Sequence, residues 1–242
     1  MMYLNERIDD LQRGGLRVIQ RADAFRFGTD AVLLADFAAP RRHDRVCDLG
    51  TGTGIIPLLL YARENTISAD AVEIQPDMAD IAARSMAMNG LNEKIRVLPG
   101  DLRSIRTLLP HARYDLVTCN PPYGKAGGTL LNPDASKRLA RHEESCAIED
   151  VACAAAWLLQ NGGRLCCVFP AARMIELSDA MRKYRMAPKR IRMVHSRVEK
   201  AAHLCLMEGM LDARPGLIIE PPLVIYDENN AYTPELRRIY GL

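Results

Sequence analysis

Three glycines in five residues, within Asp48-Leu49-Gly50-Thr51-Gly52-Thr53-Gly54, constrain this chain more than any other feature. The run follows Arg45-Val46-Cys47, which reads as a strand start, and precedes Ile55 to Tyr61, an apolar stretch that reads as a helix. A strand, a glycine turn and a helix in succession make a nucleotide-type cradle, because glycine permits tight backbone angles and close approach of a ligand to the main chain. There is no Gly-Lys-Ser/Thr ending, which excludes a Walker loop, and the G-x-G-x-G spacing fits the dinucleotide fingerprint poorly. A plain tight turn is the simpler alternative for these residues.

The segments that follow repeat one arrangement. Ala69-Asp70-Ala71-Val72-Glu73 reads as a second strand ending in Glu73, 25 residues after Asp48. A carboxylate there can grip both hydroxyls of a ribose. Ile95 to Gly100 reads as a third strand ending at Asp101, an acid able to accept from an adenine amine. Tyr114 to Cys119 is a fourth, ending at Asn120. Each acid alone is an ordinary solvated strand end. Together they fall where an open parallel sheet binds ligands, at the carboxyl ends of its strands. Helices are expected at Met78–Asn89, Ile148–Leu159 and about Ala172–Tyr184, with a strand at Arg164–Phe169. Strand and helix signals alternate from about residue 44 to 170, which implies a parallel sheet with helices on both faces.

Asn120-Pro121-Pro122-Tyr123 closes the fourth strand. The Asn side-chain carbonyl and the Pro121 carbonyl can both accept from one NH2 group, and Tyr123 can stack on the ring that carries it. An exocyclic amine is a poor nucleophile because its lone pair is delocalised into the ring. Two acceptors aimed at its protons favour the pyramidal form, whose lone pair is free. The alternative is a Pro-rich turn that ends a strand.

These motifs, in this order, resemble those of class I S-adenosylmethionine-dependent methyltransferases, and the N-P-P-Y form is similar to that of enzymes acting on adenine N6 or glutamine N5. Glu6 to Leu11 and Phe25 to Ala35 resemble the N-terminal signature of the bacterial tRNA1(Val) adenine-N6 methyltransferase family. Arg141-His142-Glu143, Pro188-Lys189-Arg190, Glu208-Gly209 and Pro221-Pro222-Leu223 to Tyr226 resemble its small Gram-positive branch. The resemblance implies an α/β, Rossmann-like fold: a seven-stranded, mostly parallel sheet with an antiparallel end strand and helices on both faces. It also implies an extension, residues 1–43, packed on a methyltransferase domain of residues 44–242. S-adenosylmethionine would be held by Thr29, Asp30, Asp48, Gly50, Thr51, Gly52, Gly54, Glu73, Ile74, Asp101, Leu102 and Asn120. Asn120, Pro121, Pro122 and Tyr123 would form the catalytic turn, and no metal is needed. Thr29 has a competing role as a helix cap. His142 reads as a surface or helix-start histidine, with a catalytic base as the alternative. Glutamine methylation, guanine N2 methylation and a non-catalytic RNA-binding module are the rival functions.

Net charge is +2, so the whole chain does not announce a polyanion partner. Locally, residues 181–200 hold eight basic residues and one acid. Lys189, Arg190, Arg192 and Arg197 from this stretch, with Lys125, Arg138 and Arg141 after the catalytic turn, are the expected tRNA contacts. A solvated basic surface is the alternative. No apolar run approaches the roughly 20 residues that span a bilayer, and the start lacks a signal sequence, so the cytoplasm is expected. The seven cysteines contain no C-x-x-C pair and read as buried reduced thiols; Cys166 and Cys167, adjacent on a strand, should point to opposite faces.

Overall fold

The computed structural model describes residues 5–21, 28–122 and 148–242. Two strands, β1 (Glu6–Asp10) and β2 (Arg17–Arg21), pair antiparallel and precede helix α1 (Thr29–Ala38). The alternating region then runs β3 (Arg45–Leu49), α2 (Ile55–Arg63), β4 (Ser68–Glu73), α3 (Pro76–Met88), β5 (Ile95–Pro99), α4 (Ile105–Leu108) and β6 (Tyr114–Cys119). Next come α5 (Ile148–Leu158), β7 (Leu159–Pro170), α6 (Met174–Lys183), β8 (Met186–His195) and β9 (Ala202–Leu211). Two short strands, β10 (Ile218–Ile219) and β11 (Leu223–Val224), and helix α7 (Pro234–Tyr240) complete the described chain.

Among the described residues the main sheet has nine strands in the order β10-β8-β9-β7-β6-β3-β4-β5, with β11 also pairing β8. The expected count of seven holds for the longer strands β3 to β9; the two additions are two residues each. The expectation of an antiparallel strand at the end of the sheet is corrected. The antiparallel strand is β9, inserted between β7 and β8. The β8–β9 hairpin, connected through residues 196–201, folds β9 back into the space beside β7, which leaves β8 outside it and parallel to the rest. The carboxyl end of β8 therefore lies on the same sheet edge as those of β3, β4, β5 and β6.

Period-two alternation divides the core into two layers. Leu116, Cys166, Val168, Leu204 and Leu206 pack with α1, α2 and α7 on one face. Val117, Leu165, Cys167, Cys205 and Met207 pack with α5 and α6 on the other. Cys166 and Cys167 thus point to opposite faces, and six described cysteines are free thiols. The N-terminal strand pair is fastened to α3: the Ser85 hydroxyl accepts from the Ile19 amide at 3.0 Å, and Arg84 pairs with the nearly buried Glu6 at 2.5 Å. Helix α3 starts cleanly because Pro76 occupies its first turn with Asp77 beside it, where a missing N–H costs nothing and an acid suits the helix dipole.

A buried ion network joins the faces at the closed end of α1. Arg164 of β7 pairs with Glu208 of β9 at 3.1 Å and with Asp44 at 3.4 Å, and donates to the Ala38 carbonyl. Arg190 of β8 pairs with the same Glu208 and with Glu220, and donates to the Phe37 carbonyl while stacking on the Phe37 ring. Burial pushes the Glu208 carboxyl up, but Arg190 and Arg164 outweigh it and hold it below the usual range. Two cations at a helix C-terminus also satisfy carbonyls that lack intrahelical partners.

Candidate active site

The glycine loop hangs from the neighbouring strand. The amides of Gly50 and Thr51 both donate to the Val72 carbonyl, at 2.9 and 3.0 Å. Gly50 and Gly52 have φ of +72° and +56°, in the left-handed region that other residues rarely adopt. A side chain built on either would meet nothing among the described residues within 4 Å, so these leave space in front of the loop. Gly54 differs: a methyl group there would collide with the Met86 side chain, so this glycine lets α2 start against α3.

Glu73 braces the loop. It is buried, and its two carboxylate oxygens accept from the Gly52 amide at 2.8 Å and the Gln75 amide at 2.9 Å. Each oxygen keeps further acceptor capacity for a ligand hydroxyl. The next residue, Ile74, is an apolar side chain left 43% exposed at the strand end. Asp101 caps the short turn Leu102–Ser104 by accepting from the Arg103 amide at 2.9 Å. The Arg103 guanidinium also pairs with it at 2.5 Å and holds its carboxyl below the usual range.

Asp48 is fully buried, and its Oδ1 accepts from the Thr118 hydroxyl at 2.6 Å. Among the described residues its Oδ2 and the Thr51 hydroxyl, which face each other in the same buried pocket, come within hydrogen-bonding distance of no partner. Burial, opposed by the hydroxyls of Thr118 and Thr51 and reinforced by the charge on Glu73, pushes the Asp48 carboxyl up to about 7. Buried polar atoms are rarely left unpaired in native structures, and an exception calls for an explanation such as an absent ligand. Two such atoms beside an open glycine cradle fit a polar cofactor.

Asn120 follows β6 directly and is half-buried; Pro121 is buried and Pro122 exposed. Because β6 is parallel to β3 and β7, Asn120 emerges at the edge that carries the glycine loop, Glu73 and Asp101. Thr29 and Asp30 open α1. The cap position is Gly28, not Thr29, and no side chain among the described residues caps this helix. The Thr29 hydroxyl instead accepts from the Tyr240 hydroxyl at 3.1 Å, so the capping role is corrected to a tie with the C-terminal helix. Burial raises the Asp30 carboxyl, opposed by its own backbone hydrogen bond and by His203. Thr118, Tyr240 and His203 were not anticipated. Only Thr118 left a signal, its position two residues before Asn120 on one face of a strand.

Tyr123, Lys125, Arg138, Arg141 and His142 lie outside the described residues. The basic stretch is largely matched within the protein. Lys189 donates to the Arg214 carbonyl, Arg192 pairs with Glu235 at 2.8 Å, and Arg197 donates to the Asp227 carbonyl and the Asn230 side chain. Arg190 is held in the Glu208 network. Lys183 and Arg185 pair with Glu149 and Asp212. Among the described residues no helix is long and apolar enough to cross a membrane, and no cluster of His, Cys, Asp and Glu is arranged to hold a metal ion.

Residues 22–190 match the methyltransferase small domain family. A curated tRNA1(Val) (adenine(37)-N6)-methyltransferase from Porphyromonas gingivalis is 32% identical over 91% of this chain and 89% of its own length. One of the same name from Tolumonas auensis is 34% identical over 88% and 86%. Among solved structures, a predicted O-methyltransferase from Agrobacterium tumefaciens superposes with a TM-score of 0.73 at 24% identity, covering 88% of this chain and 95% of that one. TrmN from Thermus thermophilus gives 0.56 at 23%, covering 77% and 50%. These structural likenesses establish the fold, and the sequence matches establish the lineage: the chain belongs to the methyltransferase small domain family, in its tRNA1(Val) (adenine(37)-N6)-methyltransferase branch.

Proposed function

We propose that this S-adenosylmethionine-dependent methyltransferase modifies the exocyclic N6 amine of an adenine in the anticodon loop of a valine tRNA. The observation that carries the reading is the convergence of the glycine loop, Glu73, Asp101 and Asn120-Pro121 on one edge of the sheet. The names of the relatives supply the substrate.

In this reading Asp48, Gly50, Thr51, Gly52 and Gly54 shape the cofactor cradle, with Thr29 and Asp30 at its methionine end. Glu73 holds the ribose hydroxyls with the acceptor capacity that its two backbone partners leave. Ile74, Asp101 and Leu102 line the adenine of the cofactor. When bound, S-adenosylmethionine supplies an electrophilic methyl group on a positively charged sulfur. The side-chain carbonyl of Asn120 and the backbone carbonyl of Pro121 accept from the target amine, orient it and free its lone pair. Pro122 stiffens the turn, and Tyr123 stacks on the target base, which must leave its stack to reach the site. No strong base is needed, because the amine becomes acidic only as the new bond forms.

Lys125, Arg138, Arg141 and Lys189 contact the RNA backbone, and Arg197 orders the turn that holds Asp227 and Asn230 beside it. Arg190 and Arg192 support these contacts by bracing β8 through their internal ion pairs. A tRNA substrate puts the reaction in the cytoplasm.

The deciding experiment incubates the protein with methyl-labelled S-adenosylmethionine and either unmodified tRNA or bulk cellular protein, followed by digestion. Label recovered as N6-methyladenosine from tRNA is the expected result. Label in glutamine would overturn the reading in favour of a protein methyltransferase. Tight cofactor binding with no label in either would favour a module that binds RNA without modifying it.

A further inference from the structure

The segment Pro221-Pro222-Leu223-Val224-Ile225-Tyr226 has no part in the cofactor cradle or the catalytic turn, yet it alternates strictly from Pro222 to Tyr226. Leu223 and Ile225 are buried, while Val224 is half-buried and Tyr226 is 37% exposed. The first half is β11, which pairs parallel with the end of β8, so the segment runs toward the edge that carries Asn120. From β6 to β8 is three strand spacings, about 15 Å.

At that edge Tyr226 begins a stack of three tyrosines. Tyr226 and Tyr232 have ring centroids 5.5 Å apart and planes 27° apart; Tyr232 and Tyr240 are also 5.5 Å apart, with planes 14° apart. The Tyr240 hydroxyl then meets Thr29 at the start of α1. The outer end of this stack opens into a cleft of about 680 Å³ that includes Arg197, Val198, Glu199, Tyr226 and Glu228. Val198, at the turn between β8 and β9, is 78% exposed and apolar.

The charge of the cleft selects its occupant. Glu199, Asp227 and Glu228 outnumber Arg197, whose guanidinium already donates to the Asp227 carbonyl and the Asn230 side chain. Such a cleft repels phosphate. It suits an uncharged ring with a π face for Tyr226, an apolar edge for Val198 and N–H donors for the carboxylates. We propose that this cleft is a second nucleobase subsite, which takes a splayed-out base of the same RNA loop that presents the target adenine. Sequence-specific readers of single-stranded loops use such stacking on aromatic side chains. The inference rests on the RNA methyltransferase reading above.

The test compares Tyr226→Ala, Tyr226→Phe and Val198→Asp with the unaltered protein. It measures KM and kcat for an unmodified tRNA transcript, cofactor affinity by calorimetry, and Tm. Stacking of one base predicts that Tyr226→Ala raises the tRNA KM by about 5- to 100-fold, with kcat and cofactor affinity retained. Tyr226→Phe should restore it, since the ring and not the hydroxyl is the platform. Val198→Asp, at an exposed position, should raise KM without lowering Tm, and it carries the test if Tyr226→Ala fails to fold. Unchanged tRNA KM in Val198→Asp and in a folded Tyr226→Ala would overturn the subsite and leave the methyltransferase reading intact. Absence of methylation of any RNA by the unaltered protein would overturn the reading itself, and the subsite with it.

Discussion

Asp48 and Thr118 face each other across the parallel β3–β6 pair, register partners joined by a 2.6 Å hydrogen bond between two fully buried side chains. The bond ties the strand that feeds the glycine loop to the strand that feeds Asn120. One end of the site thus cannot shift without the other. Thr118→Val keeps the shape and removes the donor. The buried carboxyl then loses its 2.6 Å hydrogen bond, which should lower stability by about 1–3 kcal/mol and weaken cofactor binding. Chemical denaturation and calorimetric titration with S-adenosylmethionine check both effects.

The same carboxyl makes cofactor-free stability depend on pH. Burial raises Asp48 to about 7 in the folded protein, well above its unfolded value of about 3.9. The folded state therefore binds the proton more tightly. Its contribution favours folding at low pH and is lost as pH rises from about 4 through 7, by about 4 kcal/mol as an upper bound. Asp48→Asn, which cannot ionise, should flatten that part of the slope in denaturation midpoints measured from pH 5 to 8.

Gly52 combines a φ of +56° with open space before it and an amide that donates to Glu73. Gly52→Ala should cost about 1–2 kcal/mol from the left-handed backbone alone and place a methyl group in the cradle. Cofactor affinity should fall more than stability accounts for, read as Kd at a temperature where the variant is fully folded.

Asn120→Ala should leave the fold intact and lower kcat for tRNA at saturating cofactor by about 100-fold, the scale seen when one preorganised polar group is removed from a reacting centre. Single-turnover kinetics with bound tRNA separate this from a binding defect.

Glu208 is the shared partner of Arg164 and Arg190. Glu208→Ala removes the shared partner of two guanidinium groups, leaving Arg164 with Asp44 and Arg190 with Glu220, and should destabilise the fold by about 1–3 kcal/mol. The loss should appear in urea unfolding at neutral pH, with the site residues themselves untouched.

Much of the site is legible in the chain because strand-end position is a local property. Glycine turns, strand periodicity and the acid or amide after each apolar run locate the loop at 50–54, Glu73, Asp101 and Asn120 without reference to anything distant. The apolar run within Thr29–Ala38 is likewise readable as the helix α1, since its apolar residues are continuous and burial on the sheet agrees with the pattern. The antiparallel strand is different. Ala202–Met210 reads as a strand, but its place between β7 and β8 depends on which neighbour it pairs with, and apolar runs buried on both faces do not encode that.

The charge of residues 181–200 shows the boundary most clearly. Read along the chain, the stretch is a strongly basic patch. In the folded protein its cations meet Glu149, Glu208, Asp212, Glu220 and Glu235, acids supplied from before and after the stretch. What the amino-acid sequence determined by itself is the class of fold and the order of the chemical groups along the sheet edge, because those follow from short-range periodicity and turn chemistry. Tertiary structure decided which buried group pairs with which. Asp48 meets Thr118, Thr29 meets Tyr240 from 211 residues away, and two arginines close on Glu208. Such pairings depend on distances through space, which no local pattern of residues carries.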